Sequence, residues 1–176
     1  MVGWLIGTRV IREQERYHDA VGDHVPGHAC SGFDVQLRVA RDRMTPITEH
    51  FYWEEARCRC GKCTIPEDVK PEVVETARWL ERIREHLGNR PVIVHSWYRC
   101  PEYNRKVGGA PNSQHLHGRA VDFTVRGMTV EQVWQHLLPL FWGGYVKGMG
   151  RYIGHVHVDR RPAGAAMWFG KGVRGA

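Results

Sequence analysis

Residues 113–123 read SQHLHGRAVDF and place two histidines, a glycine and an aspartate within a few positions; residues 155–159 add HVHVD. Two imidazoles and one carboxylate are a usual protein ligand set of a catalytic zinc, which keeps a fourth position for water. The metal lowers the pKa of that water towards about 7, so hydrolysis at neutral pH is the chemistry these residue types could perform. A separate cluster, RCRCGKC at 57–63, spaces Cys58, Cys60 and Cys63 as C-x-C-x-x-C. No second C-x-x-C follows, so the cluster falls short of a zinc ribbon. Three readings stay open for it: a second, structural zinc with Cys30 or Cys100 as fourth thiolate, a disulfide within the cluster, or unpaired thiols.

Strands must position the first set. In a strand, i and i+2 point to the same side. Ala120, Asp122 and Thr124 therefore share a face opposite Val121, Phe123 and Val125, and His155, His157 and Asp159 share a face opposite Val156 and Val158. If RAVDFTV (119–125) pairs with HVHVD, Asp122 and His157 converge, and His115 completes the triangle from the preceding loop. Gly118 permits a tight turn there, and Ala120 leaves space beside a metal.

The remaining elements follow from periodicity and punctuation. PEDVKPEVVETARWLERIREHL, from Pro66 to about His86, is read as a helix, with Val69, Val73, Ala77, Leu80 and Leu87 on one stripe. Glu67 and Asp68 at its start and Arg82 and Arg84 near its end suit the helix dipole, and Gly88-Asn89 stops it. PVIVHS (91–96) reads as a buried strand and PEYNRKVG (101–108) as a short helix. Thr129 and Gln132 form a capping box for a helix through Phe141. Without strict βαβ alternation the class is α+β: a small antiparallel sheet with flanking helices. Residues 1–47 are set apart as an N-terminal extension, containing a polar stretch at 12–17 and an alternating strand-like run at 35–39. The organised domain is expected over 48–176.

With 176 residues and 42% apolar content the chain can bury one domain's core. Its formal charge of +6 suits an anionic polymer such as nucleic acid, an anionic membrane face or a carboxylate-rich wall. No aromatic–basic RNA motif or paired zinc finger supports a nucleic-acid partner, and no apolar run reaches the roughly 18 residues of a membrane span. The N-terminus, MVGWLIGTRVIREQER, has no basic segment before its apolar residues, so synthesis in the cytoplasm without a secretory signal is expected. Five cysteines, an odd number, argue against a complete disulfide framework.

Ser113-Gln114-His115-Leu116-His117-Gly118-Arg119-Ala120-Val121-Asp122 resembles the S-x-H-x-x-G-x-A-x-D signature of peptidase family M15, the zinc D-Ala-D-Ala carboxypeptidases. His155-Val156-His157 is similar to the H-x-H that closes the metal site in the first subfamily of that family. The stretch HSWYRCPEYN (95–104) is similar to its S-x-Y-R-S/T-P-x-x-N segment, where an arginine enters the active site. The likeness covers about residues 50–170.

The resemblance implies the α+β fold shared with the hedgehog signalling domain and one catalytic zinc held by His115, Asp122 and His157. It implies that His155 hydrogen-bonds the water or the oxyanion. Arg99 would stabilise that oxyanion or grip a substrate carboxylate, and Ser113 would brace the loop, by hydrogen bonding around Asp122. Other branches carry a Glu or Asp three residues before the last histidine as general base; that position is Gly154 here. Proton transfer then falls to His155, to Asp159 or to the zinc hydroxide itself. Cys100 occupies a Ser/Thr position and is read as a small packing residue, and His117 as an exposed bystander.

The implied substrate is the peptide stem or cross-link of bacterial peptidoglycan, cut as a carboxypeptidase or endopeptidase. The short basic chain fits an endolysin-like, phage-associated wall hydrolase that acts at the wall after release or as part of a phage particle. The alternative is a non-catalytic, zinc-containing structural or wall-binding module of a phage particle. The oligomeric state is open.

Overall fold

The computed structural model describes residues 44–173, so the strand-like and polar runs expected within 1–43, and Cys30, lie outside the described residues. The elements are α1 (Trp53–Ala56), α2 (Lys70–His86), β1 (Val92–Ser96), α3 (Pro101–Lys106), a 3-10 turn (Gln114–His117), β2 (Ala120–Val125), α4 (Val130–Trp142), β3 (Gly148–Arg151), β4 (Val156–Asp159) and β5 (Ala166–Phe169). The α+β class holds. The last residues of the expected extension belong to the folded body: Ile47 packs against the core, and Pro46 bridges Tyr52.

Helix α2 starts at Lys70 rather than Pro66. Pro71, which has no N–H to donate, is accommodated only in a first turn; residues 66–69 form the turn leading into it, closed by Val69 N–H and Lys70 N–H on Pro66 O. Val73, Ala77, Leu80 and Ile83 are its buried face. Gly88 and Asn89, both at positive φ, end it. The capping box of α4 is formed in both directions, Gln132 N–H on Thr129 Oγ1 at 3.1 Å and Thr129 N–H on Gln132 Oε1 at 2.8 Å. Val133, Trp134, Leu137 and Phe141 face the core.

The sheet runs β1-β2-β4-β3-β5. It is antiparallel except at the edge, where β5 pairs parallel with β3, so the sheet is mixed rather than wholly antiparallel. Neither β3 nor β5 is expected from the sequence. GMGR is glycine-broken and low in strand propensity, and it is held as a strand by partners on both sides.

Alternation separates the two faces. Val121, Phe123, Val125, Met149, Val156 and Val158 join the core with the inward residues of α2 and α4. The opposite face carries one row of register partners: Ser96 beside Asp122, Asp122 beside His157, His157 beside Gly150, and Gly150 beside Trp168. A bulge in β1 between Val94 and Ser96 brings Ser96 into that row. One row along, Asp159 lies between Ala120 and Gly148.

A candidate metal and catalytic site

His115 is delivered by the 3-10 turn, and two features lock that turn. Gly118, with φ 68°, caps it in the left-handed region, and a Cβ there would lie 2.7 Å from Val73 Cγ2, so both backbone and space demand glycine. The end of β1 then runs alongside. The buried Trp97 indole donates to Gly118 O at 2.9 Å, Arg99 N–H donates to His115 O at 3.1 Å, and His115 Nδ1 donates to Trp97 O at 2.6 Å. With Nδ1 on a carbonyl, the lone pair of His115 sits on Nε2 and faces the sheet.

On the sheet, Asp122 and His157 meet as the strand register requires. His157 Nδ1 is 2.8 Å from Asp122 Oδ1, and His115 Nε2 is 3.2 Å from each of those atoms. All three side chains are buried. The outer nitrogen of His157, Nε2, donates to Asp159 Oδ2 at 3.1 Å, which leaves Nδ1 as the inward lone pair. Three acceptor atoms thus converge with the far side of each imidazole already satisfied, the arrangement that fixes ligating histidines around a metal. A tetrahedral ion with bonds of about 2.0–2.1 Å separates its ligands by about 3.3 Å, close to the observed 2.8–3.2 Å. The residues present fit a zinc ion.

Electrostatics agree with that donor set. Burial pushes the His115 imidazole down, against the opposing pull of Asp122. Burial opposes ionisation of Asp122, yet His115 and His157 override it and hold the carboxyl well below its usual range. Burial also works against a charged His157, but Asp122 and Asp159 together raise it: a positive charge between these carboxylates is stabilised whether carried by a proton or a metal.

Two carboxylate–arginine pairs brace the trio. Arg99 donates from Nη2 to Asp122 Oδ2 and from Nε to Ser96 Oγ at 2.8 Å. Asp159 accepts Arg161 Nε at 2.9 Å and Nη2 at 2.7 Å besides His157. Room for the Asp159 carboxylate comes from Gly148, where a Cβ would lie 2.0 Å from Asp159 Oδ2. Burial opposes the charge on Asp159, but Arg161 and His157 hold it far below the ordinary carboxylate range.

The trio lies at the floor of an open cleft of about 490 Å³. Its walls include Arg99, Ser113, Tyr152, His155, Arg161 and Trp168. His155 sits just before β4 rather than in it, half-buried, with its ring stacked on Tyr152 at 4.5 Å between centroids. Burial pushes its imidazole down. Trp168 reaches across Gly150 to within 5.0 Å of the His157 ring, donates to Tyr152 OH at 2.9 Å, and lies under the Arg161 guanidinium.

The structure therefore brings together His115, Asp122 and His157, with His155, Arg99, Ser113 and Asp159 around them. Several expected contacts differ. Asp122 takes its partners from Arg99, His115 and His157, and Ser113 is not among them. Arg99 spends one arm of its fork on Asp122 instead of reaching freely into the cleft. Asp159 is fully engaged with Arg161 and His157. His117 is exposed, as expected. Cys100, read as a packing residue, accepts Tyr103 N–H as the N-cap of α3 and joins the cysteine cluster. Sequence reasoning missed Tyr152, Arg161 and Trp168; the aromatic pair in AMWF was the only signal for the last.

Comparison with known proteins places this geometry. Residues 49–159 match the family described as Peptidase M15. Over 114 residues the chain is 29% identical to the zinc D-Ala-D-Ala carboxypeptidase of Streptomyces albus G, an alignment covering 61% of this chain and 44% of that enzyme. The chain thus spans less than half the length of that relative. The matched segment carries the whole trio and most of its support, from His50 and α2 through β4, and the chain belongs to the M15 peptidase family.

Proposed function

We propose that the protein is a zinc-dependent peptidase that hydrolyses a peptide bond in the stem or cross-link of bacterial peptidoglycan. The observation that carries this reading is the convergence of His115 Nε2, Asp122 Oδ1 and His157 Nδ1 within 3.2 Å at the floor of an open cleft. Three protein ligands and an accessible fourth direction characterise catalytic rather than structural zinc. The name of the Streptomyces relative supports the metal and the substrate class.

His115, Asp122 and His157 would hold the ion, whose chemistry there would be to lower the pKa of water towards about 7 and to polarise a carbonyl. Arg99 orients Asp122 through Nη2 and keeps Nη1 for a substrate oxygen or carboxylate. His155, on the wall and stacked on Tyr152, takes the proton from the attacking water and returns it to the leaving amine. Asp159, buried under Arg161, fixes the His157 tautomer and carries no proton itself. Trp168 and Tyr152 form an apolar wall against which a peptide is held.

A net charge of +6 favours approach to an anionic wall, in keeping with action on peptidoglycan after release from the cell or from a phage particle. Mass spectrometry of muropeptides after digestion tests the proposal and identifies the bond: loss of a terminal residue marks a carboxypeptidase, and separation of cross-linked stems an endopeptidase. Zinc-loaded protein that leaves all muropeptides unchanged, or full activity after the metal is removed by chelation, refutes it.

A further inference from the structure

Away from the cleft, Cys58, Cys60, Cys63 and Cys100 bring their sulfur atoms within 4.8 Å of one another. Three belong to the loop between α1 and α2, and the fourth is the N-cap of α3, directly after Arg99. A tetrahedral zinc with bonds of about 2.3 Å to sulfur needs sulfurs about 3.8 Å apart. The cluster brackets that spacing, from 3.1 Å between Cys60 and Cys63 to a widest pair inside 4.8 Å. A disulfide needs about 2.05 Å, and pairing Cys60 with Cys63 would leave Cys58 and Cys100 facing it unused.

Backbone amides already point at the sulfurs. Lys62 N–H and Cys63 N–H donate to Cys60 Sγ at 3.4 Å, Cys100 N–H to Cys58 Sγ at 3.3 Å, and Tyr103 N–H to Cys100 Sγ at 3.4 Å. Such donors favour the thiolate on the sulfurs that receive them, most clearly Cys60, while burial pushes the Cys58 and Cys63 thiols up. A coordinated divalent ion deprotonates such thiols outright. Four thiolates around one divalent ion leave two negative charges, and Arg57, Arg59 and Lys62 alternate with the cysteines in the same loop. The loop also needs a fastener: residues 57–64 form no helix or strand, and the backbone bond within them is a long one, Gly61 N–H on Cys58 O at 3.4 Å.

We propose that Cys58, Cys60, Cys63 and Cys100 form a closed, four-thiolate structural zinc site that pins the 57–64 loop to the segment carrying Arg99. With all four positions taken by protein the ion has no opening for substrate, so its role is to hold structure. The site shares no ligand with the His115–Asp122–His157 centre, and either can fail without the other.

Metal analysis of the full chain, purified under reducing conditions, tests this. The expected result is two zinc ions per chain, with one lost in Cys100→Ser and the other lost in His115→Ala. Cobalt-exchanged protein should show the intense sulfur-to-cobalt charge-transfer absorption of a thiolate site, retained in His115→Ala and absent in Cys100→Ser. Equal metal content in wild type and Cys100→Ser overturns the proposal, as does a Cys60–Cys63 disulfide in the reduced preparation. If Cys100→Ser does not fold, the wild-type cobalt spectrum decides alone: absence of the thiolate band overturns the site.

Discussion

Replacing Asp159 by Asn separates the geometry of the trio from its mere presence. Asp159 is 1% exposed, and everything around its carboxylate is a donor: His157 Nε2 at 3.1 Å, Arg161 N–H at 3.1 Å, and the Arg161 guanidinium at 2.9 and 2.7 Å. Asparagine offers one acceptor oxygen and one NH2. Two donors converge on each oxygen, Arg161 N–H and Nε on Oδ1, and Arg161 Nη2 and His157 Nε2 on Oδ2. The backbone N–H cannot turn away, whereas the guanidinium arm can shift and His157 can change tautomer, so the amide oxygen settles at Oδ1 and the NH2 faces His157. His157 must then present a lone pair at Nε2, which moves its proton to Nδ1, the atom pointing at Asp122 and His115. Metal binding must reverse that tautomer and leave a buried NH2 without an acceptor. Loss of such an outer carboxylate typically weakens metal binding 10–100-fold, or about 1.4–2.8 kcal/mol. Competition against a chelator of known affinity measures it, following the zinc equivalent that disappears in His115→Ala. Arg161→Ala is the control: it loosens Asp159 but leaves its bond to His157, so its effect on affinity should be smaller. A folded Asp159→Asn protein with affinity within about twofold of wild type would show that Asp159 does not set the His157 tautomer, and the reasoning fails.

Three further outcomes are expected. His155→Ala should keep both its fold and its zinc while losing most turnover, about 10²–10⁴-fold for a group that moves protons; loss of zinc instead would make His155 a ligand. Gly118→Ala should destabilise the protein by about 2–4 kcal/mol in denaturant titration, because a left-handed residue with a Cβ costs about 1–2 kcal/mol and the clash with Val73 adds overpacking; an unchanged midpoint contradicts this. Glu81, although burial opposes its charge, is held below the usual carboxylate range by Thr48 Oγ1 at 2.7 Å and by the backbone and ring of His50 at 2.9 Å. A depressed folded pKa means stability that is present above the unfolded value of about 4.3 and lost as pH falls through the folded one. Glu81→Gln should therefore cost about 1–3 kcal/mol at neutral pH, with the gap in melting temperature shrinking as pH falls below the unfolded value and closing once it has passed the folded one; a constant gap would refute the linkage.

The parts of the fold that were legible in the sequence rest on short-range rules. Period-two alternation in AVDFTV and HVHVD is enough to put Asp122 and His157 on one face, and the pairing observed makes them direct partners. The Thr129–Gln132 box and the Gly88-Asn89 stop are equally local. Pro71 could have corrected the start of α2, since a proline so near a helix start belongs in its first turn. What was not legible depends on contacts between distant segments. GMGR forms a strand through hydrogen bonds to β4 and β5, not through its own propensity. The choice between Cys30 and Cys100 as a neighbour of the cysteine loop cannot be made from spacing, because it depends on α3 beginning beside that loop.

The illegible strand explains why the site closes as it does. Along β3 only Met149 points into the core, and the residues flanking it on the site face are Gly148 and Gly150. A side chain at position 148 would occupy the space of the Asp159 carboxylate, and one at 150 would meet the Trp168 ring at 2.6 Å. These two absences let β4 and β5 lean their functional groups over β3: Asp159 towards His157 from one row, Trp168 over His157 from the next. A sequence reader sees two weak strand residues at 148 and 150, whereas the fold uses them as the space in which the outer support of the metal ligands is built. Glycines in an otherwise paired strand beside a candidate site thus point to the side chains of neighbouring strands, and here they point to Asp159 and Trp168.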